Sequence, residues 1–234
     1  MKLRLQITKD REIRFISHLE YLRTIERAIR RAKLPVAYSE GFNPHMKFSL
    51  ASALGVGVVS YAEFVEIVMA EPVDPMEAAS RLIKALPRGI RVVGVDAVDN
   101  SAPALMSVAG GAEYWVTIPY QADCQAAIKA FNETEKLTYA KPAPKSAAKV
   151  KEINVKFYIP HVDAVQTGGF LKLRFHCRIT AQGSMKAVDL LNTLNQYYHL
   201  GLPVELADIE RRDLYRVDDM GNMWPMLDSI YTKE

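Results

Sequence analysis

The densest chemistry in the chain lies in one stretch, Tyr38-Ser-Glu-Gly-Phe-Asn-Pro-His-Met-Lys-Phe-Ser49. Aromatic rings alternate there with Glu40, Asn43, His45, Lys47 and serine hydroxyls. The spacing fits neither a helix nor a buried strand. Gly41 allows backbone angles that a Cβ forbids, and Asn43-Pro44 reads as a turn. A loop so rich in hydrogen-bonding and titratable groups reads as a site. Upstream, His18 falls in the first turn of a helix bearing Arg23, Arg27, Arg30 and Arg31. Positive potential favours the neutral imidazole, which a general base requires. The bland alternative is that His18 only supports the helix cap or packs on the sheet. His18, Glu40 and His45 could converge on a metal, but their spacing is not that of a ligand set. His161, His176 and His199 are scattered. No Walker A, G-x-G-x-x-G, G-x-S-x-G or H-E-x-x-H motif occurs, so nucleotide hydrolysis, dinucleotide redox chemistry and serine hydrolysis lack support.

Charge points to a partner class. Residues 1–50 hold eleven Lys or Arg against five Asp or Glu, a local +6 within a chain of net +3. That asymmetry suggests a polyanion at the N-terminal half. Phe15, Tyr38, Phe42 and Phe48 stand among Arg14, Lys47 and the arginine helix, the mixture with which single-stranded RNA is held: bases stack on rings and cations hold phosphates. A second basic stretch, Lys141 to Lys156, could clamp from the other half.

These residues must be positioned by the surrounding elements. The 234 residues are 49% hydrophobic and 24% charged, values of an ordinary globular protein. No apolar run is long enough for a membrane helix, and the N-terminus reads as a strand, so a cytoplasmic location is expected. Cys124 and Cys177 read as isolated buried thiols, and no cysteine cluster suits an iron–sulfur centre. No cofactor of its own is expected.

Leu3, Leu5 and Ile7 alternate with Arg4, Gln6 and Thr8, predicting a half-buried strand. Ser17-His-Leu-Glu20 is a capping box opening a helix to about Lys33, with Leu19, Leu22, Ile25 and Ile29 as its core stripe. Strands follow at 36–38 and 62–70, a helix at 76–86 and a strand at 90–98. The second half predicts strands at 113–120 and 137–140, a helix at 122–132, a mobile basic loop at 141–151, and strands at 153–165 and 170–180. A helix capped by Ser184 and a strand from Val204 to Val217 close the pattern, before an irregular tail. The expectation is an α+β protein of two tandem ferredoxin-like (βαββαβ) domains with antiparallel sheets. Residues 1–99 form the first domain, 100–111 a linker, and 112–234 the second.

Arg14-Phe-Ile-Ser-His-Leu-Glu20, the basic helix and the Tyr38–Ser49 stretch resemble the signature of the bacterial radical-SAM-linked proteins, which are fused to a radical SAM protein or encoded beside one. Met46 departs from the proline usual there. The resemblance implies a separate radical SAM enzyme as partner, since no radical SAM cysteine motif is present. Tandem ferredoxin-like folds with a histidine near the first helix are also similar to the endoribonucleases that process CRISPR repeat RNA, whose histidine activates a ribose 2′-hydroxyl; His18 alone would match.

The leading expectation is an accessory protein without intrinsic activity that binds RNA or presents substrate to that enzyme. Arg14, Arg23, Arg27, Arg30 and Arg31 would grip phosphate. Tyr38, Glu40, Phe42, Asn43, His45 and Lys47 would contact substrate or partner. One alternative is a metal-independent endoribonuclease with His18 as base and Lys47 or Arg14 stabilising charge. The other is a module that docks the radical SAM partner without nucleic acid.

Overall fold

The computed structural model describes residues 1–143 and 146–228. The first strand, β1 (Lys2–Lys9), leads through a 3-10 turn at Arg11–Ile13 into α1 (His18–Arg31). There follow β2 (Phe48–Leu50), β3 (Val58–Val68), α2 (Pro75–Ala85), β4 (Val92–Val98) and the single turn α3 (Leu105–Val108). Next come β5 (Ala109–Pro119), α4 (Gln125–Glu133), β6 (Thr138–Ala143), β7 (Ser146–Asn154), the single turn α5 (Val155–Tyr158), β8 (Val162–Thr167) and β9 (Phe170–Thr180). The chain closes with β10 (Gly183–Ser184), α6 (Ala187–Tyr198), β11 (Asp208–Val217) and β12 (Met223–Pro225). The protein is a mixed α+β fold with antiparallel strands and, among the described residues, six α-helices.

The chain divides into two compact units, one of Met1–Ala109 with the chain from Leu214 onward, the other of Gly110–Asp213. In the first, β1 lies between β3 and β4, and β2 adds to the far side of β3, every pairing antiparallel. The core packs α1 and α2 on one face of this sheet: Leu3, Leu5, Ile7, Ile25, Ile29, Ile67 and Leu82 are each at most 2% exposed.

Several expectations shift. β1 is central, paired on both edges, and its burial is not confined to the apolar face: Arg4 and Thr8 of the face read as polar are 5% and 1% exposed. Arg4 Nε and Nη2 each lie 2.9 Å from Glu66 Oε2 on β3. The second strand is β2, after the motif stretch; residues 36–38 make only isolated bridges, Val36 to Met69 and Tyr38 to Met46. The stretch read as a linker is tied down: Lys2 and Arg4 donate to the carbonyls of Ala102 and Pro103, and Leu105 is fully buried. The tail groups with the first unit, where Tyr215 to Val217 pair with Met223 to Pro225.

In the second unit β9 pairs with β5 on one side and β8 on the other, both antiparallel. The segment read as a mobile loop is a hairpin, with Thr138 opposite Asn154 and Lys141 opposite Lys151; Pro144 and Lys145 of that stretch lie outside the described residues. The strand expected at 153–165 is interrupted because the Asn154 side chain accepts from Phe157 N and opens α5. Ser184 belongs to β10, and Lys186 stands at the start of α6.

Candidate functional site

Helix α1 begins where the sequence requires. Ser17 Oγ accepts from Glu20 N at 3.2 Å, and Glu20 Oε2 accepts from Ser17 N at 2.8 Å. These bonds, that from the Ser17 backbone foremost, hold the Glu20 carboxyl below its ordinary pKa. The stripe facing the sheet is Tyr21, Ile25, Ala28 and Ile29. Tyr21 donates its hydroxyl to Thr8 O at 2.7 Å. Leu19, expected in the core, is 63% exposed, and the first buried side chain of the helix is Tyr21, bonded to β1.

At its other end α1 is locked to α2 by reciprocal arginines. Arg31 donates from Nε and Nη2 to Ala85 O, at 3.3 and 2.8 Å. Arg81 donates from Nε to Ala32 O at 2.9 Å and also bonds Lys33 O. Each guanidinium meets carbonyls that a helix C-terminus leaves unpaired, where the helix dipole favours a cation. Arg31 is therefore engaged. Arg30 is shared: its Nη2 lies 2.7 Å from Glu26 Oε1, and this bond, with a smaller contribution from the nearby Tyr38 phenol, raises its pKa. Arg23 and Arg27 are exposed and have no carboxylate within bonding distance among the described residues.

The motif stretch forms an irregular hairpin beside this C-terminal end. Ser39 N donates to His45 O at 2.8 Å, and His45 N to Ser39 Oγ at 2.9 Å. Lys47 N donates to Ala37 O, and Val68 N to Lys47 O, which seats the hairpin on the end of β3. Met46 is buried. The tip, 40–45, is exposed throughout, with Gly41 at φ +114° and Phe42 fully in solvent.

A second aromatic group sits at the start of α1. Phe15 is 69% exposed, with the Arg14 guanidinium 4.8 Å from its ring centroid. The turn is held from beneath by Lys9, 1% exposed, whose Nζ donates to Arg14 O at 2.9 Å and Ile16 O at 3.0 Å. His18 is half-buried in this region.

The fold thus joins Arg23, Arg27 and Arg30 into an exposed track, with Phe15 and Leu19 at one end and Tyr38 and Phe42 at the other. It separates His18 from Glu40, His45 and Lys47. From His18 to Arg30, beside which Tyr38 lies, the helix rises about 18 Å. The convergence of His18, Glu40 and His45 does not occur, and among the described residues no group of three or more His, Cys, Asp or Glu could hold a metal ion. Sequence reasoning missed Arg81, whose partners are backbone carbonyls and leave no residue pattern. Among the described residues no helix is long and apolar enough to cross a membrane.

Comparison with known proteins adds a family and a fold. A family described as an uncharacterized protein conserved in bacteria, DUF2344, matches residues 2–189. No curated protein matches. A chain in the crystal structure of a Cbf5-Nop10-Gar1 complex is similar at a TM-score of 0.51 and 12% identity, over 93% of this chain and 50% of that one. One from the archaeal box H/ACA sRNP Nop10-Cbf5 complex is similar at a TM-score of 0.45 and 10% identity, over 97% and 49%. A protein from Galdieria sulphuraria is similar at a TM-score of 0.26 and 14% identity, over 90% and 96%. This chain spans about half the length of the first two, and the likeness to the first is one of fold. With the match covering most of its length, the chain belongs to the bacterial DUF2344 family.

Proposed function

We propose that this protein is a cytoplasmic accessory to a separate radical SAM enzyme and that it binds RNA along α1. The observation that carries the reading is the track of Arg23, Arg27 and Arg30, exposed, mostly unneutralised, and flanked at both ends by exposed apolar and aromatic side chains. Like charges one helical turn apart weaken a helix, whereas a phosphate backbone laid along them turns the repulsion into attraction. Rigid presentation supports it too, since α1 is capped at both ends. The radical SAM partner rests on the resemblance of the Arg14–Glu20 and Tyr38–Ser49 motifs.

The finer fold reading belongs here as well. The order β1-α1-β2-β3-α2-β4, with β4, β1, β3 and β2 side by side, supports a ferredoxin-like first unit. With β6–β7 taken as an insertion, the second unit follows the same order.

One observation favours partner docking for the hairpin. Phe42 at its tip makes no use of its apolar surface within the chain, and an exposed aromatic on a shaped loop is a common anchor for a protein partner. The hydrolytic reading rests on His18 with Arg14, since Lys47 lies at the other end of α1.

The test is retention of labelled cellular small RNA in chelator across a salt series, with the bound RNA then run on a denaturing gel. Intact RNA is expected, and retention falls with salt. Arg23→Ala with Arg27→Ala lowers the salt slope by about 1.4, roughly 0.7 per phosphate contact on a single strand. Shortened RNA that depends on His18 would replace this reading with the nuclease. Absent retention at low salt, with a radical SAM enzyme still co-purifying through Phe42, would leave only the docking module.

A further inference from the structure

The second unit carries another surface of distinct composition. Along β5 and β9 successive residues alternate strictly between two faces. Tyr114, Val116, Ile118, Leu171, Leu173 and Phe175 form the buried one, each at most 9% exposed. The opposite face of β9 presents Phe170, Lys172, Arg174, His176 and Arg178 in turn. A sheet face toward water needs only polar residues. This strand shows a ring, three cations and an imidazole, and its neighbours add two carboxylates to the same face, Glu113 opposite His176 and Asp163 opposite Arg174.

Beside it on β5 stands Trp115, 43% exposed and in register with Arg174. The indole is held in place. Its Nε1 donates to Glu113 Oε1 at 2.9 Å, and Arg174 Nε bonds the same oxygen. One carboxylate thus fixes both the ring and the neighbouring guanidinium. Arg212 lies 4.7 Å from the Trp115 centroid, and Arg178 lies 5.4 Å from that of Phe157. Lys172 is exposed and has no carboxylate partner among the described residues.

We propose that this open sheet face is a second binding site, for single-stranded nucleic acid, with a base stacked at Trp115 beside Arg174 and its phosphates held by Lys172 and Arg178. The occupant follows from complementarity. The cations call for a polyanion, and an oriented indole with guanidinium planes beside it calls for a ligand with flat π-faces. Single strands supply both, because their bases can be splayed onto aromatic or guanidinium planes. A duplex hides its bases and offers only phosphate. An acidic peptide satisfies the cations and leaves the indole unused. The site uses residues of the second unit alone and stands or falls independently of the α1 track.

The test follows binding of oligouridylate and oligodeoxythymidylate of about ten nucleotides, within the span such sites cover. Trp224→Phe leaves Trp115 as the one tryptophan, and its fluorescence is expected to be quenched by either strand; the tighter of the two names the natural sugar. Trp115→Ala, read by anisotropy of a labelled strand, should weaken binding about 5- to 150-fold, the loss of one stacked base. Lys172→Ala with Arg178→Ala should lower the salt slope by about 1.4. All three residues face solvent, so the variants keep the core intact, which circular dichroism verifies. Arg23→Ala with Arg27→Ala should leave the Trp115 quench unchanged. Binding lost in that variant but normal in the sheet variants would overturn this site and spare the α1 proposal. The reverse would spare this site and sink the other. Equal quenching by duplex RNA or by polyglutamate would show charge attraction without stacking, and would overturn it in favour of an acidic or protein ligand.

Discussion

Glu66→Ala is expected to unpair a buried arginine. Glu66 is 5% exposed, and so is Arg4, whose guanidinium reaches Oε2 from two nitrogens at 2.9 Å. Lys2 Nζ lies 3.8 Å from the other oxygen. Truncation leaves two cations in a place shielded from water, with the carbonyls of Pro103 and Ala102 as remaining acceptors. Breaking a buried pair from one side costs about 3–5 kcal/mol, and the surviving carbonyl bonds favour the lower figure. For a chain of this size that corresponds to a fall in Tm of roughly 6–12 °C at 2–4 °C per kcal/mol. The double variant Arg4→Met with Glu66→Leu removes both charges and should return to within about 1 kcal/mol of the parent. Urea unfolding followed by Trp224 in a Trp115→Phe background reports on the first unit, which avoids assuming that both units melt together. A Glu66→Ala cost below about 1 kcal/mol, or a double variant worse than either single, would refute the argument that the pair matters through its burial.

Two further outcomes follow from titrating groups. Asp218 accepts from Trp224 Nε1 at 3.1 Å, from Asn222 and from Met220 N, and these bonds lower its pKa from 3.8 to about 2. A depressed carboxyl stabilises its loop above pH 3.8 and loses that effect as pH falls toward 2. The Trp224 indole proton, followed by NMR, should titrate near pH 2, and Asp218→Asn should abolish the step; a midpoint at 3.8 would count against the bonds. Burial pushes the Cys177 thiol up to about 12 and raises that of Cys124 as well. A thiol-reactive disulfide at pH 8 should therefore label neither in the native protein and both in urea, and prompt native labelling would show that these side chains open to solvent.

What was legible in the sequence was local. The capping box of α1 spans four residues and the hydrophobic spacing of α1 one helix, so both could be read directly. The motif stretch was readable as irregular backbone from Gly41 and Asn43-Pro44, and Gly41 does take a φ of +114°. The polar face of β1 misled, because Arg4 and Thr8 look like solvated residues until partners are brought to them, Glu66 from 62 positions away in one case and Arg91 from 83 in the other. Arg31 looked like one more phosphate contact, since its acceptor is a backbone carbonyl that any residue could supply. Leu19 shows the limit of helical spacing: it fits the stripe but precedes the point where the helix meets the sheet. The β6–β7 hairpin was hidden by Pro142 and the surrounding lysines, which argued for a loop although backbone pairing carries through them. The grouping of Trp115 with the β9 cations was not legible, because it exists only once β5 and β9, far apart in sequence, pair in register.

The first unit is discontinuous: its last segment, from Leu214, arrives only after the whole of Gly110–Asp213 has been made. During synthesis at about 5–20 residues per second, roughly 5–20 s separate the two pieces. The first unit therefore cannot close until the whole of that intervening stretch has been synthesised. A chain that stopped short of Leu214 would lack the first unit's closing segment and the end of β11. The packing of the unit that carries the arginine track thus depends on residues encoded far downstream of those arginines.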